Sequence, residues 1–367
     1  MAILSLGTPE SPQGSDYDAF LKEVSFGQAG GNEGIDLPFQ KLNEFVNLRA
    51  SMLYVVGGYT GSGKTSFVDE VFVLSTMDTL KKQGKLGKLK ITYWSFERKK
   101  KFKLARWVSR HIFMAHDRII PIKKILGWGS EKLTIDEYDL IKDAKTYFDE
   151  LFEHITIIDG RQNPTGIRKY VEQLALQYGV VEGDRFSKIY HPKDPSIIHL
   201  HIFDHVGKVK KESNKSTKET IDDFSDDVSD LIRDFYGHSA CVITQLNRDI
   251  TNPLRIKNGD VEPRLEDIKS TGDLSEDADC VMTLFDPWRY KVADPGGYDL
   301  TKFRDGKGAK KYRSVNLLKN SFDGEGLRFG AAYQPQTGMF RELPRSKEMN
   351  DHIYHSVVDD TFFRKTA

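Results

Sequence analysis

Eight residues, Gly58-Tyr59-Thr60-Gly61-Ser62-Gly63-Lys64-Thr65, have the types and spacing to hold a triphosphate. They read G-x-x-x-x-G-K-T. The apolar run Met52-Leu53-Tyr54-Val55-Val56 precedes them, and a helical pattern with Phe67, Val68, Val71, Phe72 and Ser75 on one face follows. The order of strand end, glycine-rich turn and helix start lets backbone N–H groups converge on phosphate without a Cβ in the way. It also adds the positive end of a helix dipole. Gly58, Gly61, Ser62 and Gly63 supply the turn, Lys64 reaches the β- and γ-phosphates, and the Thr65 hydroxyl ligates Mg²⁺. A chance Gly/Ser turn would not bring lysine, threonine and both flanks into register. The expectation is a chain that binds ATP or a relative.

Hydrolysis asks for more: a carboxylate near Mg²⁺, a base for water and a sensor of the γ-phosphate. Asp204 closes the run Ile197-Ile198-His199-Leu200-His201-Ile202-Phe203 and suits the metal side. Glu97 follows Ile91-Thr92-Tyr93-Trp94-Ser95-Phe96 and is the candidate base. Gln245, after Ala240-Cys241-Val242-Ile243-Thr244, suits the sensor, and Arg248 in the same segment is a candidate nucleotide contact. His199 and His201 lack ligand spacing around them and are read as hydrogen-bonding groups, not metal ligands.

Elements that would position these groups follow from periodicity. Apolar segments at 52–56, 90–96, 154–158, 197–203, 239–244, 279–285 and 314–318 alternate with helical patterns, which predicts an α/β fold: a mostly parallel twisted sheet with helices on both faces. Asn163-Pro164-Thr165 opens one helix, and Thr220 opens another with Ile221, Phe224, Val228, Leu231, Ile232 and Phe235 on a face opposite a row of aspartates. Residues 178–196 and 286–313 read as Gly/Pro-rich polar insertions. Near the N-terminus Tyr17, Phe20, Leu21 and Val24 form one helical stripe cut off by Gly27-Gln28-Ala29-Gly30-Gly31. That stripe needs cover, from its own core or from a neighbouring subunit.

Lysine plus arginine balance aspartate plus glutamate at 54 each, so any nucleic-acid contact must come from local patches. Residues 207–218 hold five lysines against one glutamate, and 302–313 hold six basic residues against one aspartate. Residues 98–110 weave seven more into a helical pattern: Arg98, Lys99, Lys100, Lys101, Lys103, Arg106 and Arg110. Each alone reads as a solvated face; lysines beyond the strand ends of an ATPase sheet lie where ligands bind. Cys241 and Cys280 sit in apolar runs and read as core residues of a reducing compartment. No 18-residue apolar run or secretion signal occurs, so the expectation is a cytoplasmic protein without membrane contact.

The order of these segments resembles the ATPase domain of DnaB-type replicative helicases, a branch of the RecA-like P-loop ATPases. Gly34-Ile35-Asp36-Leu37-Pro38-Phe39 is similar to the family's domain-opening segment, and Ser95-Phe96-Glu97 resembles its S-L-E, whose glutamate is the base. Ile157-Ile158-Asp159 through the Pro164-Thr165 helix start is also similar. Asp204-His205-Val206-Gly207 stands at its Walker B aspartate, and Thr244-Gln245-Leu246-Asn247-Arg248 resembles S-Q-L-N-R. Leu265 through Leu274 and Glu276 to Asp279 look like its DNA loop and the segment after it. Lys319-Asn320-Ser321 through Gly326 and Thr337 to Phe340 resemble its closing β-hairpin and final strand. The resemblance divides the chain into an N-terminal arm or linker helix at 1–33, the ATPase domain at 34–343 and a tail at 344–367. It implies ATP at subunit interfaces of a hexameric homo-oligomeric ring, single-stranded DNA in the channel, 5′-to-3′ movement and a primase or loader as partner. Lys208, Lys210, Lys211, Lys269 and Gly272 fall in the loops that would face the strand.

Departures from the family's pattern bear on function. Only about 33 residues precede the match, so the N-terminal primase-binding domain is expected to be missing. Ser321 stands where the family has an arginine that acts on a neighbour's γ-phosphate, which leaves Lys319 as the nearest substitute. Lys269 and Ser270 replace an arginine and a glutamate. The leading expectation is an ATP-driven DNA helicase or translocase of a phage, plasmid or similar replicon. The alternative is a RecA-like DNA-dependent ATPase that serves as a loader, recombination or accessory factor without unwinding.

Overall fold

The structure is a computed structural model that describes residues 15–184, 187–247, 254–255, 261–268, 274–292, 294–303, 311–322 and 326–364. Among these residues nine strands form one sheet in the order β11-β10-β9-β8-β1-β7-β6-β2-β3, and β4 pairs separately with β5. The parallel half comprises β1 (Leu53–Gly58), β2 (Leu89–Ser95), β3 (Ile155–Asp159), β6 (Ile198–Asp204), β7 (Ser239–Gln245) and β8 (Cys280–Phe285). β9 (Tyr312–Asn320), β10 (Arg328–Gln334) and β11 (Met339–Glu342) extend it antiparallel beyond β8. The expected strands are all present, and the closing hairpin is β9–β10.

Strands buried on both faces separate two apolar layers, as crossover helices on a parallel sheet require. Tyr54, Val56, Ile91, Leu200 and Ile202 face a layer containing Phe67, Val71, Phe72, Trp107 and Phe148. Leu53, Val55, Trp94, Phe203 and Val242 face the opposite layer, built on Ile167, Val171, Phe224, Val228 and Ile232. The helix after the phosphate loop begins as Lys64–Val68, widens through a π-type segment Asp69–Leu74 and ends as Ser75–Lys82. It is buried along more than the single stripe its sequence suggests, since Asp69 and Glu70 also lie inside.

Three local readings change. The helix assigned to Thr220 starts at Thr217, because Ser216 and Glu219 form a capping box that meets the free N–H groups earlier. Its continuation Asp227–Phe235 is π-type. The insertion at 178–196 carries a hairpin, β4 (Gly179–Glu182) with β5 (Ile189–Pro192), anchored where the Tyr190 hydroxyl donates to the Ala175 carbonyl. The stripe of Tyr17, Phe20, Leu21 and Val24 stays 39–63 % exposed on the helix Ser15–Gln28, so the chain's own core does not cover it.

On β6, His199, His201 and Phe203 share a face. His238, just before β7, stacks on both histidines at 4.6 and 5.3 Å, and its Nδ1 lies 3.1 Å from His201 Nε2. Burial holds all three imidazoles neutral, with pKa values near 4 for His199, 3 for His201 and 2 for His238. Cys241 and Cys280 are buried free thiols on either side of Tyr54.

Candidate active site

At the C-terminal end of β1 the chain turns through Gly61 (φ 85°) and Gly63 (φ 101°), left-handed values that favour glycine, and enters its helix at Lys64. A Cβ on Gly58 would stand 2.8 Å from the Leu284 carbonyl oxygen, so the strand end also requires glycine. Lys64 Nζ donates to the carbonyls of Gly58 (2.6 Å) and Tyr59 (3.1 Å), which folds it back across the loop. Burial lowers its pKa to about 8, against the opposing pull of Asp204 and Glu97. Two arginines distant in sequence hold the loop from outside. Arg313 Nε on β9 donates to the Ser62 carbonyl at 2.8 Å, and Arg289 Nη1 donates to the Thr60 carbonyl at 2.7 Å.

Asp204 arrives at the end of β6, two strands from β1, with Oδ1 accepting from Thr65 Oγ1 at 3.0 Å. Burial raises its pKa, and Lys103 opposes that. Lys103 Nζ lies 3.8 Å from Asp204 and 2.9 Å from Asp69, whose other oxygen accepts from Trp107 Nε1 at 2.9 Å. Lys103 and Arg110 thus correct the reading of 98–110 as a solvated face. Both are buried, Arg110 against Glu70 and Asp78, because their helix packs over the phosphate-loop helix.

Glu97, just past β2, is half-exposed toward the same cleft. His205 Nε2 stands between it and Gln245, 3.8 Å from Glu97 Oε2 and 3.5 Å from Gln245 Nε2. Gly61, Gly63, Lys64, Thr65, Glu97, Asp204, His205 and Gln245 all line one cleft of about 720 Å³, ample for a nucleotide. Ser62 has its backbone in the loop and its Oγ buried without a partner among the described residues. The hydroxyl of Thr65 beside an oxygen-only carboxylate suits Mg²⁺, and the glycine cradle with a lysine folded over it suits a polyphosphate.

Lys208, Lys210 and Lys211 follow Asp204 at the same sheet edge, with Lys210 and Lys211 exposed. Their segment is fixed by Glu212, which accepts from Asn163 Nδ2 (2.6 Å) and the Thr165 N–H (3.2 Å). Arg248, Lys269 and Gly272 lie outside the described residues. Lys319 is not brought to the cleft of its own chain. It pairs with Val281 near the start of β8, whereas the phosphate loop lies beside Leu284, and its Nζ donates to the Glu276 carbonyl.

His205, Lys103, Asp69, Arg289 and Arg313 escaped the sequence reading. Asp69 and Glu70 did leave a signal, as two acids inside the apolar run Phe67–Leu74 that require buried partners. Nothing in the sequence links Arg313 to Ser62. Among the described residues no cluster of His, Cys, Asp and Glu forms a metal site of its own, and no helix is long and apolar enough to cross a membrane.

No protein-family model matches the sequence, and no curated protein matches it. Solved structures do. The ATPase domain of one helicase, solved on its own, aligns over 90% of this chain and 98% of its own, at 18% identity and a TM-score of 0.63. A DnaB-like replicative helicase, solved to examine its interactions with primase, aligns over 89% of this chain and 66% of its own, at 16% identity and a TM-score of 0.62. With its strand order and phosphate loop, the chain has the fold of a DnaB-type, RecA-like ATPase domain.

Proposed function

We propose that the chain hydrolyses ATP with Mg²⁺ and couples turnover to movement along single-stranded DNA as a homo-oligomeric, hexameric ring, in replication of a phage or plasmid-type replicon. The observation that carries the reading is the line Glu97–His205–Gln245, which joins the cleft to the lysine-bearing segment after Asp204. Lys64 leaves its carbonyl partners to neutralise the β- and γ-phosphates, and Gly58, Gly61, Ser62 and Gly63 turn backbone N–H groups toward them. Thr65 and Asp204 would hold Mg²⁺, which supplies charge neutralisation of the phosphates. Glu97 accepts the proton of the attacking water. Gln245 and His205 sense the γ-phosphate and transmit its loss to Lys208, Lys210 and Lys211, which grip the strand backbone together with Lys269 and Gly272; Arg248 contacts the nucleotide. The uncovered stripe Tyr17–Val24 supports assembly with other copies, and Lys319 serves the neighbour's site as the trans cation. A primase or loader completes the set of partners.

Lys64→Ala should lower ATP turnover about 100- to 1000-fold, the ~2.7–4 kcal/mol lost with one preorganised contact. More than about a third of wild-type turnover would reject the site. Ser321 in place of an arginine, with Lys319 bonded to Glu276, favours a second reading: a DNA-dependent ATPase acting as loader or accessory factor. Displacement of a strand from a forked duplex separates the two, because only the first reading requires it.

A further inference from the structure

The nucleotide cleft is longer than its phosphate-binding half. Asp204, Glu97 and Gln245 lie at one end, and Ser66, one residue past Thr65, leads toward the other. Arg106 Nη1 donates to Ser66 Oγ. One helical turn before Arg106, on the same face, Phe102 lines the cleft. The Trp128 ring lies 5.2 Å from that of Phe102 and lines the cleft with it. Trp128 is 51 % exposed, a large indole surface left to solvent.

A triphosphate whose β- and γ-phosphates meet Lys64 must extend its nucleoside away from Asp204, past Ser66 and Arg106. We infer that the Trp128–Phe102 ledge is the nucleobase subsite of this chain, taking purine bases by stacking on their faces. The inference rests on the nucleotide-binding reading above and adds what that reading leaves open, namely how the base is chosen. The three acidic residues lining the cleft are committed at its metal end: Asp69 to Lys103, Asp204 to Thr65 and Glu97 beside His205. Charged side chains near the ledge, Arg98, Lys99, Lys101 and Arg106, are donors only. A stacking surface without acceptors accepts any base with a broad π-face and does not select adenine by its exocyclic amine. ADP and GDP therefore bind within about tenfold of one another, whereas a site reading the amine would separate them by far more.

Calorimetric titration of ADP, GDP and inorganic pyrophosphate into the full chain and its Trp128→Ala and Trp128→Phe variants tests this. Trp128→Ala should weaken ADP and GDP about tenfold, as loss of one base–aromatic stack does, and leave pyrophosphate within about twofold. Trp128→Phe keeps a ring and should retain most of the ADP affinity. Unchanged ADP binding by Trp128→Ala overturns the inference, as does an equal loss of pyrophosphate, or a loss of self-association with ADP binding intact. A preference for ADP over GDP beyond about 100-fold overturns face recognition. If the wild-type chain binds pyrophosphate but neither nucleotide, the ledge assignment falls alone; if it binds none of the three, the phosphate-loop reading falls with it.

Discussion

Lowering the pH should unfold this protein through His199, His201 and His238. The three rings are 7 %, 0 % and 2 % exposed, and His199 Nδ1, His201 Nδ1 and His238 Nε2 have no hydrogen-bond partner among the described residues. A proton on any of them would be a buried charge beside two more imidazoles. Their folded pKa values of about 4, 3 and 2 lie below the usual 6.5. As pH falls through 6.5 the unfolded chain therefore binds protons that the folded chain refuses. The stability is fully present above pH 6.5 and is lost as the pH drops toward the folded values. At pH 5 each ring accounts for about 1.5 pH units at ~1.36 kcal/mol, or roughly 2 kcal/mol, and the three for roughly 6 kcal/mol. A typical domain has only ~5–15 kcal/mol in total. Urea unfolding at pH 7.5 and 5.0 measures the difference, and His238→Phe isolates the cluster from titrating carboxylates. The variant removes one ring and the repulsion it exerts on the other two, so it should cut the acid-dependent loss by at least about a third. Equal losses in wild type and variant would refute the argument.

Glu97→Gln should bind ATP yet hydrolyse it poorly, whereas Asp204→Ala should weaken Mg²⁺-dependent nucleotide binding; normal hydrolysis by Glu97→Gln would remove the base assignment. Neutralising Lys210, Lys211 and Lys269 together should lower the slope of log affinity against log salt by about 2 for single-stranded DNA, at ~0.7 per contact, and an unchanged slope places the strand elsewhere. Lys103→Met leaves the buried Asp69 carboxylate without its cation and should cost about 3–5 kcal/mol in denaturant unfolding. Adding Asp69→Leu should recover most of that loss, and failure to recover would mean the lysine acts by packing alone.

The phosphate loop, Asp204, Glu97 and Gln245 were legible because each sits at the end of an apolar run, where a parallel sheet gathers its chemistry on one edge. Lys103 and Arg110 were not, since charges at helical spacing look alike whether water or a carboxylate faces them; only the fold brings Asp69 and Glu70 opposite. The β4–β5 hairpin was hidden by its polar composition, with Val180 and Ile189 left exposed. Trp128 carries no motif, and its meaning depends on a cleft that folding creates.

In β9, Lys319 pairs with Val281 and Leu317 with Met282, which leaves Leu318 opposite no residue. Val315 and Leu317 belong to the layer that also holds the phosphate-loop helix, whereas Val281 belongs to the opposite layer. Directly opposed residues share a face, so one surplus residue switches Lys319 from the odd-numbered set it would otherwise join. Which side of the molecule this cation serves is thus a matter of counting to an odd or even number. A substitution that preserves the lysine cannot move it across the sheet, but deletion of Leu318 would. Homologous chains should tolerate many changes in the identity of residue 318 and few in its existence.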